Sequence, residues 1–225
     1  MYRQTVRSAK VRAASRGKLL AAARRLFSRR GYAGTTMRDV ALSAKSSIGN
    51  LYFYFENKDA LLKGLLEEAR RPVWDWADQA AAAAPRGAAR LAIITYANIM
   101  RLVTTDRDLM KLIAMESTPR SLSRWAMEVH LERLRNNLLE NFPELPVIDR
   151  ELSLATWSGG IRRLLERMVT GEVETKPEQA AEFALRWNLR GLRVKEGEIE
   201  AAIAMAATVY EGGRRQESGG SRRRD

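Results

Sequence analysis

Apolar residues recur along this chain at intervals of three and four, and no stretch alternates with a period of two. That spacing marks helices with one buried face, so the chain is expected to be all-α. Residues 1–14 carry no apolar stripe and read as a basic flexible arm. Ser15 is placed to cap a helix running to about Arg30, with Leu19, Leu20, Ala23, Leu26 and Phe27 on one face and Gly31 ending it. Thr35 or Thr36 caps a short second helix that turns Val40 and Ala41 inward. After a break near Lys45, Ser46 or Ser47 starts a third helix carrying Leu51, Tyr54 and Phe55. Asn57 caps a fourth from Lys58, whose apolar face is Leu61, Leu62, Leu65 and Leu66.

Turn signals at Pro85–Gly87, Asp106, Pro119, Pro143–Pro146, Gly171–Pro177 and Gly197 divide the remainder. They predict helices over about 73–84, 87–104, 107–116, 120–141, 148–170, 178–192 and 196–210. Residues 211–225, rich in Gly, Ser and Arg, are expected to be disordered.

Charge divides the chain more sharply than hydropathy does. Residues 1–63 hold 14 Lys and Arg against Asp39, Glu56 and Asp59, an excess of 11 within a total of +12. Residues 64–210 hold 20 basic and 21 acidic side chains, and the tail adds five Arg against three acids. A basic segment beside a neutral body is the footprint of a module that binds a polyanion. A membrane surface is the other polyanion to weigh, but it asks for a basic helix with a bulky apolar face. The basic N-terminus is followed by no apolar core of a secretion signal, and no run of about 18 uncharged apolar residues occurs. A cytoplasmic protein with no membrane partner is the expectation.

Residues 36–55 are where the charge meets a pattern. Two short helices joined by a tight turn can cross steeply when small residues line their contact, and Ala41, Ala44 and Gly49 are placed to do so. The second helix then buries Leu51 and Phe55 and turns Ser46, Ser47, Ile48, Asn50, Tyr52 and Phe53 outward. That outward set has no acid, offers hydroxyl and amide groups to bases and phosphates, and is flanked by Lys45 and Lys58. Any three-helix subdomain shares the bare pattern, so on residues alone a helix-turn-helix and a plain helical subdomain both stand.

A longer match separates them. Residues 35–62, TTMRDVALSAKSSIGNLYFYFENKDALL, resemble the N-terminal domain of the TetR family of bacterial repressors. The resemblance rests on Thr35-Thr36, Asp39-Val40-Ala41, Ala44, Ser47, Gly49, Leu51-Tyr52, Tyr54-Phe55, Asn57-Lys58 and Ala60-Leu61-Leu62. It extends back through LLAAARRLFSRRGYAGTT, residues 19–36, and covers about 15–66. It implies that Thr36 meets a phosphate and that Arg38 reaches a phosphate or a base. It further implies that Ser47, Ile48 and Asn50 face base edges, Ile48 by apolar contact alone, as with a thymine methyl. Tyr52 would hydrogen-bond a phosphate with Phe53 packed nearby, and Lys58 would hold one at the start of the fourth helix. Lys45, Ser46 and Gly49 complete the DNA-binding candidates, while Leu51, Tyr54 and Phe55 are expected mainly in the core. The chain departs from the family at Lys45, where Gly is usual, and at Ile48, where many members carry Lys or Arg. If Lys45 adopts positive φ, the cost relative to Gly is about 1 kcal/mol.

The organisation implied is an all-α chain: an arm (1–14), a three-helix DNA-binding domain with the helix-turn-helix (15–57), a helical ligand-binding and dimerisation domain (58–210) and a tail (211–225). Candidate pocket residues are Tyr96, Met100, Met115, Glu116, Trp125, Met127, His130 and Trp157, of a kind that suits a largely apolar effector. Each apolar one fits an ordinary core equally well. Gly159 and Gly160 inside a predicted helix, with Phe183 and Trp187 on the helix over 178–192, are candidates for a homodimer interface. Two mid-helix glycines cost roughly 2 kcal/mol together, which a close helix–helix approach would offset.

With no Cys and one His, neither a transition-metal site nor a cofactor is expected. No GxSxG, GxxxxGK[ST] or HExxH run occurs, so an enzyme is not expected. The helical period also argues against a sheet that reads RNA. The expected partners are a double-stranded DNA operator, a small-molecule effector and a second copy of the chain. The function expected is a repressor released by its ligand, with a ligand-independent regulator or an activator as the alternative.

Overall fold

The computed structural model describes residues 2–104 and 120–221, with side chains for 9–101, 104 and 120–215. All regular structure among these residues is α-helix: α1 (Tyr2–Arg30), α2 (Met37–Ser43), α3 (Ile48–Tyr54), α4 (Lys58–Ala82), α5 (Ala88–Thr104), α6 (Arg120–Asn141), α7 (Val147–Thr170), α8 (Pro177–Gly191) and α9 (Glu196–Ser221). The helix expected over 107–116 lies outside the described residues. None of these helices is long and apolar enough to cross a membrane.

Two compact units divide the chain: Met1–Arg70 with the described part of Lys111–Ala126, and Arg71–Met110 with Met127–Asp225. The first unit has a small core of Leu19, Leu20, Ala23 and Phe27 from α1, Val40 and Ala41 from α2, Leu51 and Phe55 at α3, and Leu61, Leu62, Leu65 and Leu66 from α4. These are the apolar faces that the spacing predicts, except that Leu26 and Tyr54 are only half-buried. In the second unit α5 is the central helix, packed chiefly on α9 and α8. Leu91, Ile93, Tyr96, Ile99 and Met100 of α5 are buried with Leu185 and Leu189 of α8 and with Ile199, Ile203 and Tyr210 of α9.

Both ends differ from the arm and the disordered tail expected of them. The backbone is already helical at Tyr2, although residues 9–14 are exposed. At the other end α9 passes through Gly212 and Gly213 to Ser221. Tyr210 sets its ring edge-on to those of Trp76 and Tyr96, each with centroids 5.8 Å away. Gly213 then lies so close to Trp76 that a Cβ there would stand 2.5 Å from the indole. These contacts carry the helix across a sequence whose composition argues for coil. The environment of Tyr96 also pushes its hydroxyl pKa up to about 12, first by burial and then through Glu178, Glu182 and Glu211.

Within α4 the helix runs unbroken through Pro72, where a new helix was expected from residue 73. Proline removes one backbone hydrogen bond and kinks or breaks an interior turn unless packing holds it. Here Val73 and Ala77 just beyond it are buried.

Candidate nucleic-acid interface

The turn between α2 and α3 is built by local chemistry. Thr36 caps α2: its hydroxyl accepts from the Asp39 amide at 3.1 Å, while the Asp39 carboxylate accepts from the Thr36 amide at 3.0 Å and from its hydroxyl at 2.6 Å. Those bonds, with Arg30 nearby, hold the Asp39 carboxyl below its ordinary pKa. At the other end of α2 the Ser46 amide donates back to the Ala41 carbonyl and the Lys45 amide to that of Leu42, each spanning 2.9–3.0 Å. This paired closure places Lys45 at the left-handed position that glycine usually fills, with φ 52°. Ser47 caps α3 by accepting from the Asn50 amide.

The surface so formed is exposed and acid-free across α3. Leu51 is buried beneath it, while Phe53 is 70% exposed, Tyr52 52% and Ile48 43%. Arg38, Lys45, Ser47 and Gly49 are exposed beside them, with Ser46 half-buried. Gly49 faces open space, so it is not the small packing residue that the spacing suggested. It leaves the face of α3 low instead. Thr36 is exposed, but its hydroxyl is already engaged by Asp39.

Two candidates look elsewhere. Asn50, expected to face base edges, turns its side-chain amide inward and donates to the hydroxyls of Ser46 at 2.8 Å and Ser15 at 3.1 Å. It ties α3 to α1 rather than presenting its amide outward. Lys58, expected to hold a phosphate, donates to the carbonyls of Tyr32 and Thr35 at 2.8 and 2.9 Å, with its ammonium 4.2 Å from the centre of the Tyr32 ring. Tyr32 in turn donates to Asp59 and stacks on Phe27. Burial and Asp59 raise the pKa of the Tyr32 hydroxyl well above its ordinary value. Lys58 thereby bonds two carbonyls of the loop between α1 and α2 and holds that loop against the start of α4. Sequence spacing gives no sign of either bond, because the partners lie 23 to 35 residues away.

Residues 19–65 match the sequence model of the bacterial regulatory proteins of the tetR family. The similarity to that family is carried by residues 19–65, from the middle of α1 into α4. Solved structures of similar fold include the complex of SmeT, a repressor from Stenotrophomonas maltophilia, with triclosan: 20% identity, TM-score 0.66, covering 82% of this chain and 94% of that one. FadR from Bacillus subtilis in complex with stearoyl-CoA is 17% identical over 77% of this chain and 97% of its own, with a TM-score of 0.65. NalD, a repressor of a multidrug efflux pump in Pseudomonas aeruginosa, is 19% identical over 80% and 95%, with a TM-score of 0.62. At these identities the likeness is one of fold. No curated protein matches the chain at a significant level. The fold is the one these regulators share.

The candidates in the body separate. Tyr96, Met100 and Trp157 are buried in one core cluster of the second unit. Trp125 belongs to the first unit, where Lys63 and Arg70 approach its ring at 5.3 and 5.1 Å. Met127 and His130 are half-buried in the second unit, and Met115 and Glu116 lie outside the described residues. Among the described residues no cluster of three or more His, Cys, Asp or Glu is arranged to hold a metal ion. The candidates for a dimer surface share a different character. Phe183 is 64% and Trp187 67% exposed on α8, and on α7 Gly159 and Gly160 have no neighbour within reach of an added Cβ. An open groove lined by Leu164, Val173, Thr175, Phe183 and Arg186 lies alongside.

Proposed function

We propose that this chain is a homodimeric repressor that binds a palindromic operator and leaves it when a small molecule binds the body. The observation carrying the reading is the face of α3, with Ile48, Tyr52 and Phe53 exposed, no acid among them, and Lys45 and Arg38 beside them. Large apolar side chains stay exposed where a partner covers them, and the concentration of positive charge in residues 1–63 fits a phosphate backbone. In this reading Ser46, Ser47 and Ile48 approach base edges in the major groove and Gly49 allows the approach. Tyr52, Thr36, Arg38 and Lys45 meet phosphates, and Phe53 packs against the backbone. Asn50 and Lys58 act as positioning residues that fix α3 and the end of α1. Lys58 retains one N–H for a phosphate after its two carbonyls.

A second copy is supported by the exposure of Phe183 and Trp187 and by the glycine pair of α7, beside which the described residues leave open space. Two copies would present two α3 helices about one DNA turn apart. The effector class draws on the neighbours: FadR was solved with stearoyl-CoA, which carries a long apolar acyl chain, and SmeT with the apolar triclosan. Tyr96, Met100, Met127 and Trp157 suit such a ligand if their core opens to admit it, with Met115, Glu116, Trp125 and His130 as further candidates. A ligand binding one arrangement of the dimer would draw the population away from the spacing that fits DNA.

Footprinting on the DNA beside the gene is expected to show a protected near-palindrome that excess random duplex does not abolish. Protection that random DNA competes away equally would remove the operator from this reading.

A further inference from the structure

α1 extends far beyond what the first unit's core requires. Its first buried residues are Leu19 and Leu20, yet the helix begins at Tyr2. Residues 9–14 are exposed and Val11 is 63% exposed, so this part of the helix gains little from burial. Arg3, Arg7, Lys10 and Arg12 all fall within it, and no acidic residue precedes Asp39. Arg3 and Arg7, and Arg7 and Lys10, stand at helical spacings of four and three. Like charges so placed destabilise an isolated helix. A helix of this composition gains most from a dense array of negative charge beside it.

The side-chain contacts of Ser15 and Arg16 place this extension. Ser15 accepts from Asn50 in the first turn of α3, and Arg16 lies 5.2 Å from the centre of the Phe55 ring just past its last turn. α1 thus crosses α3 at residues 15–16, and the segment before them projects from the edge of the proposed DNA-reading face. At 1.5 Å per residue, Tyr2 to Ala14 measures roughly 20 Å. That is the length of about six base steps at 3.4 Å each.

We propose that residues 2–14 are a second DNA-binding element, a basic helix laid along the phosphate backbone of the duplex flanking the half-site that α3 reads. The partner is double-stranded DNA of any sequence, since contacts to phosphate oxygens carry no base information. The extension adds affinity and lengthens the contact, and the face of α3 supplies the sequence preference. This inference rests on the reading of the chain as a DNA-binding regulator, but not on its having one particular operator.

The test is the salt dependence of binding by the full chain, measured on an operator duplex and on a random duplex. Each phosphate contact contributes about 0.9 to the slope of log affinity against log salt. Arg7→Gln with Lys10→Gln is expected to flatten the slope by about 2 per bound subunit, and adding Arg3→Gln by about 3, on both duplexes. Lys176→Gln with Lys195→Gln, two exposed cations of the second unit, is expected to leave it unchanged. Amide exchange in residues 2–14 is expected to slow when DNA is added. Slopes that match the parent on both duplexes, or exchange that DNA leaves unchanged, would overturn the proposal, as would an equal flattening by the distant pair. A parent chain that prefers no sequence while the variants still flatten the slope would contradict the operator reading and leave the extension standing.

Discussion

The two units treat large apolar side chains in opposite ways. In the second, Tyr96, Met100 and Trp157 are sealed into a near-neutral body. In the first, Ile48, Tyr52 and Phe53 stand in solvent on a strongly basic one. The cost of exposing an aromatic ring does not depend on the unit that carries it. On the proposed function, what differs is the partner that removes it from water: the protein's own helices in one case and DNA in the other. The second unit breaks its own pattern at Phe183 and Trp187, which stand exposed and which the proposed function gives to a second copy.

The sharpest way to break this contrast is at Trp157. As a core residue it should cost about 3–5 kcal/mol when replaced by Ala, read from urea unfolding. A loss below about 1 kcal/mol would show that its surroundings are not the tight core seen here. Next comes the exception on α8. Phe183→Glu with Trp187→Glu is expected to weaken self-association by at least 100-fold, or about 2.7 kcal/mol, in sedimentation, without lowering the unfolding stability of the subunit. A variant that self-associates like the parent would leave those rings unexplained. Lys45→Gly gives a smaller effect with two signs. Relief of the left-handed backbone should raise stability by about 1 kcal/mol, while loss of a cation beside α3 weakens DNA binding. Stability and affinity moving in the same direction would contradict the role given to Lys45.

The smallest effect is electrostatic. Arg186 bonds Glu200 at 2.7 and 2.9 Å, and Arg190 bonds Glu196, joining α8 to α9. These bonds hold both carboxyls below their ordinary pKa. A carboxyl whose pKa falls on folding stabilises the native state above its unfolded value near 4.5, and that stabilisation is lost as pH drops through the lowered native value. Acid unfolding between the two values should therefore be shallower in Arg186→Met with Arg190→Met. An identical acid profile would show that these exposed pairs contribute nothing.

Much of the first unit was legible in the sequence because its instructions are local. A cap at Thr35 or Thr36, another at Ser46 or Ser47, the Asn57 cap and the Gly31 stop are all local signals, and the structure has them at Thr36, Ser47, Asn57 and Gly31. Lys45 was legible as a conflict between its residue type and its place in the turn. Asn50 and Lys58 were not, because helical period reports which face a residue occupies and not which distant hydroxyl or carbonyl it meets. Composition misjudged both chain ends: at the C-terminus, the Trp76–Tyr210–Gly213 contact outweighs the glycines.

The central claim is that the face of α3, presented twice, selects a DNA sequence. Selection of bound duplexes from a fully randomised pool tests it most directly. The account predicts enrichment of an inverted repeat whose half-sites lie about 34–36 Å apart, with Tyr52→Ala binding the same repeat more weakly and Ile48→Ala changing the preferred base at one position in each half. A pool that returns no repeat, while the parent chain still binds it, would contradict the account.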